Sequence, residues 1–287
     1  MRIFWATMGQ TNAHRDTQAD DALRVALVTD AHYADKEPAI GRIYRDSLPK
    51  LAAAVDALTN LNPDVAVQLG DFIDSTGPED ADRLREINAV FEKLPGRRCY
   101  VLGNHCLERL SKREYLQIVG QAQSNFSFDC KGVHLVVLDA CFTADGKSYD
   151  AGHYEWTDSD IPPAQQQWLA ADLASTSLPT IVFVHQRLDS PDDARYRVVS
   201  DAAVRAILET SDRVKLVVQG HDHPGAFRTI NGVAYLTLPS LVTSRDRSGG
   251  GYSLLRVWAD GRFAVQGYGE HRSFDSPSLK ILETARS

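Results

Sequence analysis

Cysteine is scarce in this sequence: four residues in 287, at positions 99, 106, 130 and 141. None forms a C-x-x-C pair and four are too few for a dense framework, which excludes a zinc ribbon and a disulfide-stapled scaffold. Reduced thiols in a cytoplasmic setting are the simplest expectation. Long hydrophobic runs are also lacking. No segment approaches the roughly 20 apolar residues that cross a bilayer, so no membrane-spanning helix is expected and the protein should be soluble. Positive charge is in deficit, 31 Lys and Arg against 38 Asp and Glu for a net −7. A broad nucleic-acid-binding face needs clustered cations and is disfavoured. A local basic pocket stays compatible with that total, and bound cations would let a carboxylate-rich site attract an anion. The opening Met1-Arg2-Ile3-Phe4-Trp5 has one basic residue and a very short apolar core, a poor secretory signal.

What is present is one large core's worth of apolar residues, 43% of the chain. Residues 1–22 carry no sustained period and read as a flexible leader, 23–270 as the folded domain, and 271–287 as a polar tail needing no structure of its own. Within the domain, short apolar β-branched runs alternate with helical periodicity. Strands are expected at 24–29, 64–69, 99–102, 132–139, 180–184 and 214–218, and helices at 47–61, 79–94, 112–119, 165–173 and 201–209. Runs at 233–238, 252–258 and 262–268, with turns at Asn231-Gly232 and Asp260-Gly261, give a hairpin-like finish. The pattern is that of an α/β domain, whose functional residues gather outside the carboxyl ends of the strands.

That is where the chemistry-bearing residues fall. Five strand ends in succession carry Asp30-x-His32, Gly70-Asp71, Gly103-Asn104-His105, His185 and Gly220-His221-x-His223. Singly, a Gly-Asp is a common turn and a His at a strand end is commonly structural. Jointly, carboxylates and imidazoles at successive strand ends form a donor set for metal ions.

In this order the motifs resemble the calcineurin-like metallophosphoesterase family, over residues 25–240. The resemblance implies a four-layer αββα sandwich of two mixed sheets flanked by helices, with two metal ions at the sheet ends. It implies Asp30, His32 and His223 on one ion, Asn104, His185 and His221 on the other, and Asp71 bridging. A bridging carboxylate suits ions about 3.5–4 Å apart, and a hydroxide held between them would attack phosphorus in line. His105 would stand beside the leaving oxygen as proton donor. The oxygen and nitrogen donors suit Mn, Fe or Zn without choosing among them. Position 106, usually an acid that orients the neighbouring His, is Cys106 here. Either another carboxylate orients His105, or His105 is a weaker acid.

Within the family, Asp30-Ala31-His32-Tyr33-Ala34-Asp35 followed by Arg42-Ile43-Tyr44-Arg45 is similar to the manganese-dependent ADP-ribose/CDP-alcohol diphosphatase branch, except for His32 where that branch carries Gln. Arg42, Arg45 and Arg187 are candidates to grip a second phosphate or a carboxylate, the alternative being solvated side chains. The loop 140–163, with Tyr149, His153, Tyr154 and Trp156, either caps the site or anchors itself. The expected function is metal-dependent hydrolysis of a small-molecule phosphodiester, pyrophosphate or phosphomonoester. The alternatives are a non-catalytic metal-binding scaffold of the same fold and a hydrolase of phosphonates or phosphotriesters.

Overall fold

The computed structural model describes residues 21–152, 155–245, 250–276 and 281–282. Most of the expected leader, and His153 and Tyr154, lie outside the described residues.

The first half of the chain builds three parallel strands, β1 (Leu23–Val28), β2 (Val65–Gln68) and β3 (Arg97–Tyr100), joined through helices α1 (Ser47–Thr59) and α2 (Asp80–Phe91). Helix α3 (Lys112–Val119) follows. It begins with a Ser111/Glu114 capping box and stops at Gly120, whose φ of 70° suits a residue without Cβ. Strands β4 (Phe126–Cys130) and β5 (Val133–Val137) form a hairpin, and β5, β6 (Thr180–Phe183) and β7 (Val214–Gln219) run parallel with α4 (Pro163–Ser175) and α5 (Asp201–Thr210) as crossovers. The chain finishes with the hairpin β8 (Ala226–Ile230) and β9 (Val233–Thr237), then β10 (Gly251–Val257), β11 (Phe263–Gly269), β12 (Ser273–Asp275) and β13 (Ile281–Leu282).

These strands make two mixed sheets, β13-β12-β11-β10-β1-β2-β3 and β4-β5-β6-β7-β9-β8. Strand alternation explains the four layers. Val25, Leu27, Val65, Val67 and Val101 face Leu135, Val137, Ile181, Phe183, Leu216 and Val218 of the other sheet. Their neighbours Ala26, Val28, Ala66 and Leu102 turn the other way, onto Leu51, Val55, Leu84, Ile87 and Phe91 of α1 and α2. Val136, Val182 and Val217 likewise pack on Leu169, Leu173, Val204 and Leu208 of α4 and α5. Strands covered on both faces have no polar alternation, which is why they read as continuous apolar runs.

The tail corrects the expected boundary at 270. β12 pairs with β11 and β13 with β12, so the sheet continues past it. The segment escaped a periodicity reading because β12 is three residues long and only half-buried, with no apolar run to mark it. β4 and β8 were missed for a similar reason: both lie at sheet edges with mixed exposure.

Part of what fixes the tail is His271. Burial pushes its pKa down to about 4, so the ring is neutral. Nε2 donates to the Pro239 carbonyl at 2.9 Å and Nδ1 accepts from the Ser253 hydroxyl at 2.8 Å. Replacing His271 with Ala leaves the buried Ser253 hydroxyl and the half-buried Pro239 carbonyl without this partner, so a loss of about 1–2 kcal/mol is expected in urea unfolding. A loss below about 0.5 kcal/mol would show that the tail adds no stability through this residue.

Candidate metal centre

The parallel register decides where the motifs meet. Val28 pairs with Gln68 and Gln68 with Tyr100, so β1, β2 and β3 end level. In the second sheet Phe183 pairs with Val218, so β6 and β7 end level too. Asp30, Asp71 and Asn104 therefore leave one sheet at the edge where His185 and His221 leave the other.

Among the described residues four groups of donors have their ligand atoms within 4.8 Å of one another; two of them, His32 with Asp71 and His105 and Asp74 with His105 and Glu108, involve His105, and the other two are Asp30, His32 and His223, the first group, and Asp71, His185 and His221, the second. In the first, the Nε2 atoms of His32 and His223 face each other at 3.1 Å, and Asp30 Oδ1 lies 3.6 and 3.5 Å from them. In the second, His185 Nε2 lies 3.1 Å from Asp71 Oδ2. The same Oδ2 is 3.6 Å from His32 Nε2, so one carboxylate oxygen reaches both groups.

The donors fit cations. Atoms about 2.1 Å from a shared ion sit roughly 3.0–3.5 Å apart, close to the spacings here. Both polar atoms of the Asn104 amide are buried without a hydrogen-bond partner, as is His221 Nε2. Buried polar atoms left unpaired cost stability unless something binds them. Asp30, His32, Asp71, His185, His221 and His223 are thus brought together, and the buried Asn104 precedes His105, whose N–H donates to Asp71 Oδ1 at 2.9 Å.

Surrounding groups aim the ligands. His185 Nδ1 donates to the Leu69 carbonyl at 2.7 Å, which turns Nε2 toward the centre. His32 Nδ1 lies 3.3 Å from Asp74, with the same effect. The buried Gln68 amide brackets Gly70, donating to its carbonyl at 2.7 Å and accepting from its N–H at 3.1 Å, and so fixes the turn into Asp71. In the other sheet Gln219 accepts from Leu188 N–H at 2.6 Å just before Gly220-His221. Asp74, Gln68 and Gln219 were not singled out in the sequence. Their signal is positional, one buried amide closing β2 and another closing β7 ahead of the ligand motifs.

Four ligand residues sit in left-handed backbone: Asp30 (φ 50°), His32 (φ 44°), Asp71 (φ 49°) and His221 (φ 69°). Such conformations are costly for residues with a Cβ and concentrate at functional sites. Here they are held by Asp30 N–H to Gly70 O at 3.1 Å and His32 N–H to Asp71 O at 2.8 Å. Gly103 is needed for a different reason. A Cβ there would overlap the Asp71 carboxylate and its backbone nitrogen.

His105 stands beside this centre, its ring centroid 4.7 Å from that of His32. The orienting acid is Glu108, which accepts from His105 Nδ1, one helical turn beyond it in the short 3-10 helix His105–Leu107. Cys106 is buried instead, and burial pushes its thiol up to about 11. Of the candidate arginines, Arg42 is at the centre, with Nη1 3.0 Å from Asp74 and 3.5 Å from both His32 and His105. Arg45 is half-exposed and pairs with Asp35 and Glu37. Arg187 is buried, with Nε and Nη2 on Asp189 and Nη1 on Asp222, so it holds the loop between His221 and His223. The loop 140–163 anchors itself through the buried Tyr149, whose hydroxyl donates to the Asp158 carbonyl at 3.0 Å. It also reaches the centre: the Trp156 ring lies 6.1 Å from that of His221, beside Tyr196 of the segment 194–196, whose ring is 5.5 Å from it.

Charge in the centre is tightly coupled. Burial opposes ionisation of Asp71, but His185, His105 and His32 outweigh it and hold the carboxyl far below its usual range. Burial likewise opposes the charge on His185, yet Asp71 and Asp30 raise its pKa to about 9. Burial and the neighbouring His185 push His221 down to about 3.

A model of the calcineurin-like phosphoesterase family matches residues 23–225. The manganese-dependent ADP-ribose/CDP-alcohol diphosphatase of Arabidopsis thaliana is 26% identical, over 70% of this chain and 80% of its own length. A Bos taurus transmembrane protein with a metallophosphoesterase domain is 26% identical over 81% of this chain, which spans about half (47%) of that protein. A dimetal phosphatase from Danio rerio shares the fold, with a TM-score of 0.76 at 20% identity, covering 88% of this chain and 98% of that one.

Two outcomes are expected. Gly103→Ala displaces Asp71 and should bind fewer than two metal ions per chain by elemental analysis; full stoichiometry would contradict the packing argument. Metal binding at pH 7.5 should release at least one proton. His185, at about 9, is charged there in the metal-free protein and must be neutral to coordinate. Calorimetric heats identical in buffers of different ionisation enthalpy would show that no proton leaves.

Proposed function

The chain belongs to the calcineurin-like phosphoesterase family, and from that premise we propose that it is a two-metal hydrolase of a small-molecule phosphate ester. The observation that carries this reading is Asp71 Oδ2, placed within 3.1 Å of His185 and 3.6 Å of His32 so that one carboxylate serves two donor groups. Asp30, His32 and His223 would hold one ion, Asn104, His185 and His221 the other. The name of the Arabidopsis relative favours manganese, with iron and zinc as the other candidates. When bound, the ions supply Lewis acidity toward the phosphoryl oxygens and a water ionised near neutral pH.

The chain's own residues supply the rest. Arg42, beside His32 and His105, puts positive charge where phosphoryl oxygens would lie. Glu108 fixes the His105 ring through Nδ1, leaving Nε2 to give a proton to the departing oxygen. A complete donor set together with an oriented His105 supports catalysis over a scaffold role. The relative named for ADP-ribose and CDP-alcohols favours a diphosphate over a monoester, phosphonate or triester as substrate. The four unpaired cysteines support a reducing, cytoplasmic setting.

Chelator-treated protein should lose hydrolysis of bis-p-nitrophenyl phosphate and regain it with Mn. Asp71→Asn should lower the restored turnover roughly a thousandfold, since a shared ligand contributes several kcal/mol through both ions. Unchanged turnover in Asp71→Asn would reject the mechanism. Absence of activity on every phosphate ester by fully metal-loaded protein would leave the scaffold reading in its place.

A further inference from the structure

A cavity of about 680 Å³ lies between the two sheets, walled by β8 and β9 of one and by β12 and the turn leading into it from the other. Its body is carbon, with Ala226, Phe227, Leu236, Leu238, Pro239 and Phe274 lining it. Phe227 comes from one sheet and Phe274 from the other, and their rings stack at 4.8 Å, so an aromatic pair joins the two walls.

The cavity adjoins the metal centre. His223 belongs to both: its Nε2 faces His32 Nε2 at 3.1 Å, and the residue also lines the cavity. Pro224 and Gly225 carry the lining from His223 straight into β8. The Ser240 N–H donates to the His223 carbonyl at 3.0 Å, which ties the segment after Leu238 and Pro239 to the same residue.

The polar side chains of the lining are already engaged. Thr237 Oγ1 accepts from the Gln219 amide at 3.1 Å, the Thr243 and Ser240 hydroxyls share a hydrogen bond at 2.6 Å, and the His271 nitrogens are taken by Ser253 and Pro239. Glu270 and Arg272 are exposed and so stand at the mouth. A sugar or a base placed in the body would leave most of its hydrogen-bonding groups unmet by side chains, a cost that an alkyl chain does not incur.

We propose that this cavity is a subsite for the apolar chain of an amphiphilic phosphate ester, whose phosphate lies at the metal centre while the chain runs past His223 between the sheets. The inference rests on the two-metal hydrolase reading and adds the organic group that the substrate carries. Selectivity then comes from burial, each methylene taken out of water strengthening binding by up to roughly fourfold until the cavity is full.

The test holds the reacting bond constant and varies only the chain: methyl, butyl and octyl p-nitrophenyl phosphate, each below its micelle concentration, on the Mn-loaded full chain. Every ester releases the same p-nitrophenolate, and kcat/KM should rise at least about tenfold from methyl to octyl. Ala226→Trp, which fills the cavity, and Phe227→Gln, which makes its wall polar, should flatten that rise and leave the methyl ester within about twofold of wild type. Calorimetry with methylphosphonate and octylphosphonate, whose C–P bonds resist hydrolysis, should show the same preference and the same loss of it in the variants. Wild-type turnover and affinity that stay flat with chain length, or a rise unchanged in a folded variant, overturn the subsite. Wild-type protein that prefers octylphosphonate but hydrolyses no phosphate ester keeps the chain subsite and overturns the hydrolase reading instead.

Discussion

One carboxylate oxygen, Asp71 Oδ2, must serve imidazoles from both sheets at once, 3.6 Å from His32 and 3.1 Å from His185. The rest of the architecture follows from that requirement. The sheets have to stack closely enough for β2 and β6 to deliver Asp71 and His185 to one point, and the interleaved apolar faces between them set that spacing. The strands within each sheet have to end level, which parallel in-register pairing provides. A one-residue slip of any of them would turn its inward apolar set toward the helices and carry its ligand out of reach.

Holding the donors this tightly has a local cost. Four ligand residues lie in left-handed backbone, at on the order of 1–3 kcal/mol each. Like-charged carboxylates are also gathered in a buried space. The surroundings offset this with backbone bonds between neighbouring loops, with Gln68 and Gln219 at the ends of their strands, and with Lys36 and Arg42 on Asp74. The imidazoles partly neutralise the acids in the metal-free protein, as the raised His185 and lowered Asp71 show. Cations would replace the protons in that role and also satisfy Asn104 and His221, whose buried atoms otherwise have no partner.

Much of the centre was legible in the sequence because its ligands sit at the ends of apolar runs, where composition changes abruptly. Asp30, Asp71, Asn104, His185 and His221 are of this kind, and the two buried sheets behind them announce themselves as unbroken β-branched runs. The supporting residues had no such mark. Glu108 is an ordinary exposed-type residue until the turn after His105 brings it back onto Nδ1, which also answers what replaces an acid at Cys106. Asp74 gains its role only from the neighbours that close on it. The arginines could not be told apart by local pattern. Arg42, Arg45 and Arg187 look alike in sequence and all three pair with carboxylates, yet among them only Arg42, on Asp74, also lies against His32 and His105.

The sequence by itself determined the alternation of strands and helices, the strand ends and the residue types of the donors, because strand periodicity and turn chemistry are properties of a few adjacent residues, while the four layers came with the family resemblance. Only the tertiary structure decided which charges meet. Arg187 is matched by Asp189 and Asp222 and Arg109 by nothing among the described residues, a distinction set by distances between segments that no local pattern encodes. The same holds for the tail, where a short half-buried strand has no apolar signature and is fixed by pairing with β11 and by His271 reaching Pro239. Long-range pairing depends on the whole packed core, and that is where the sequence stops and the fold takes over.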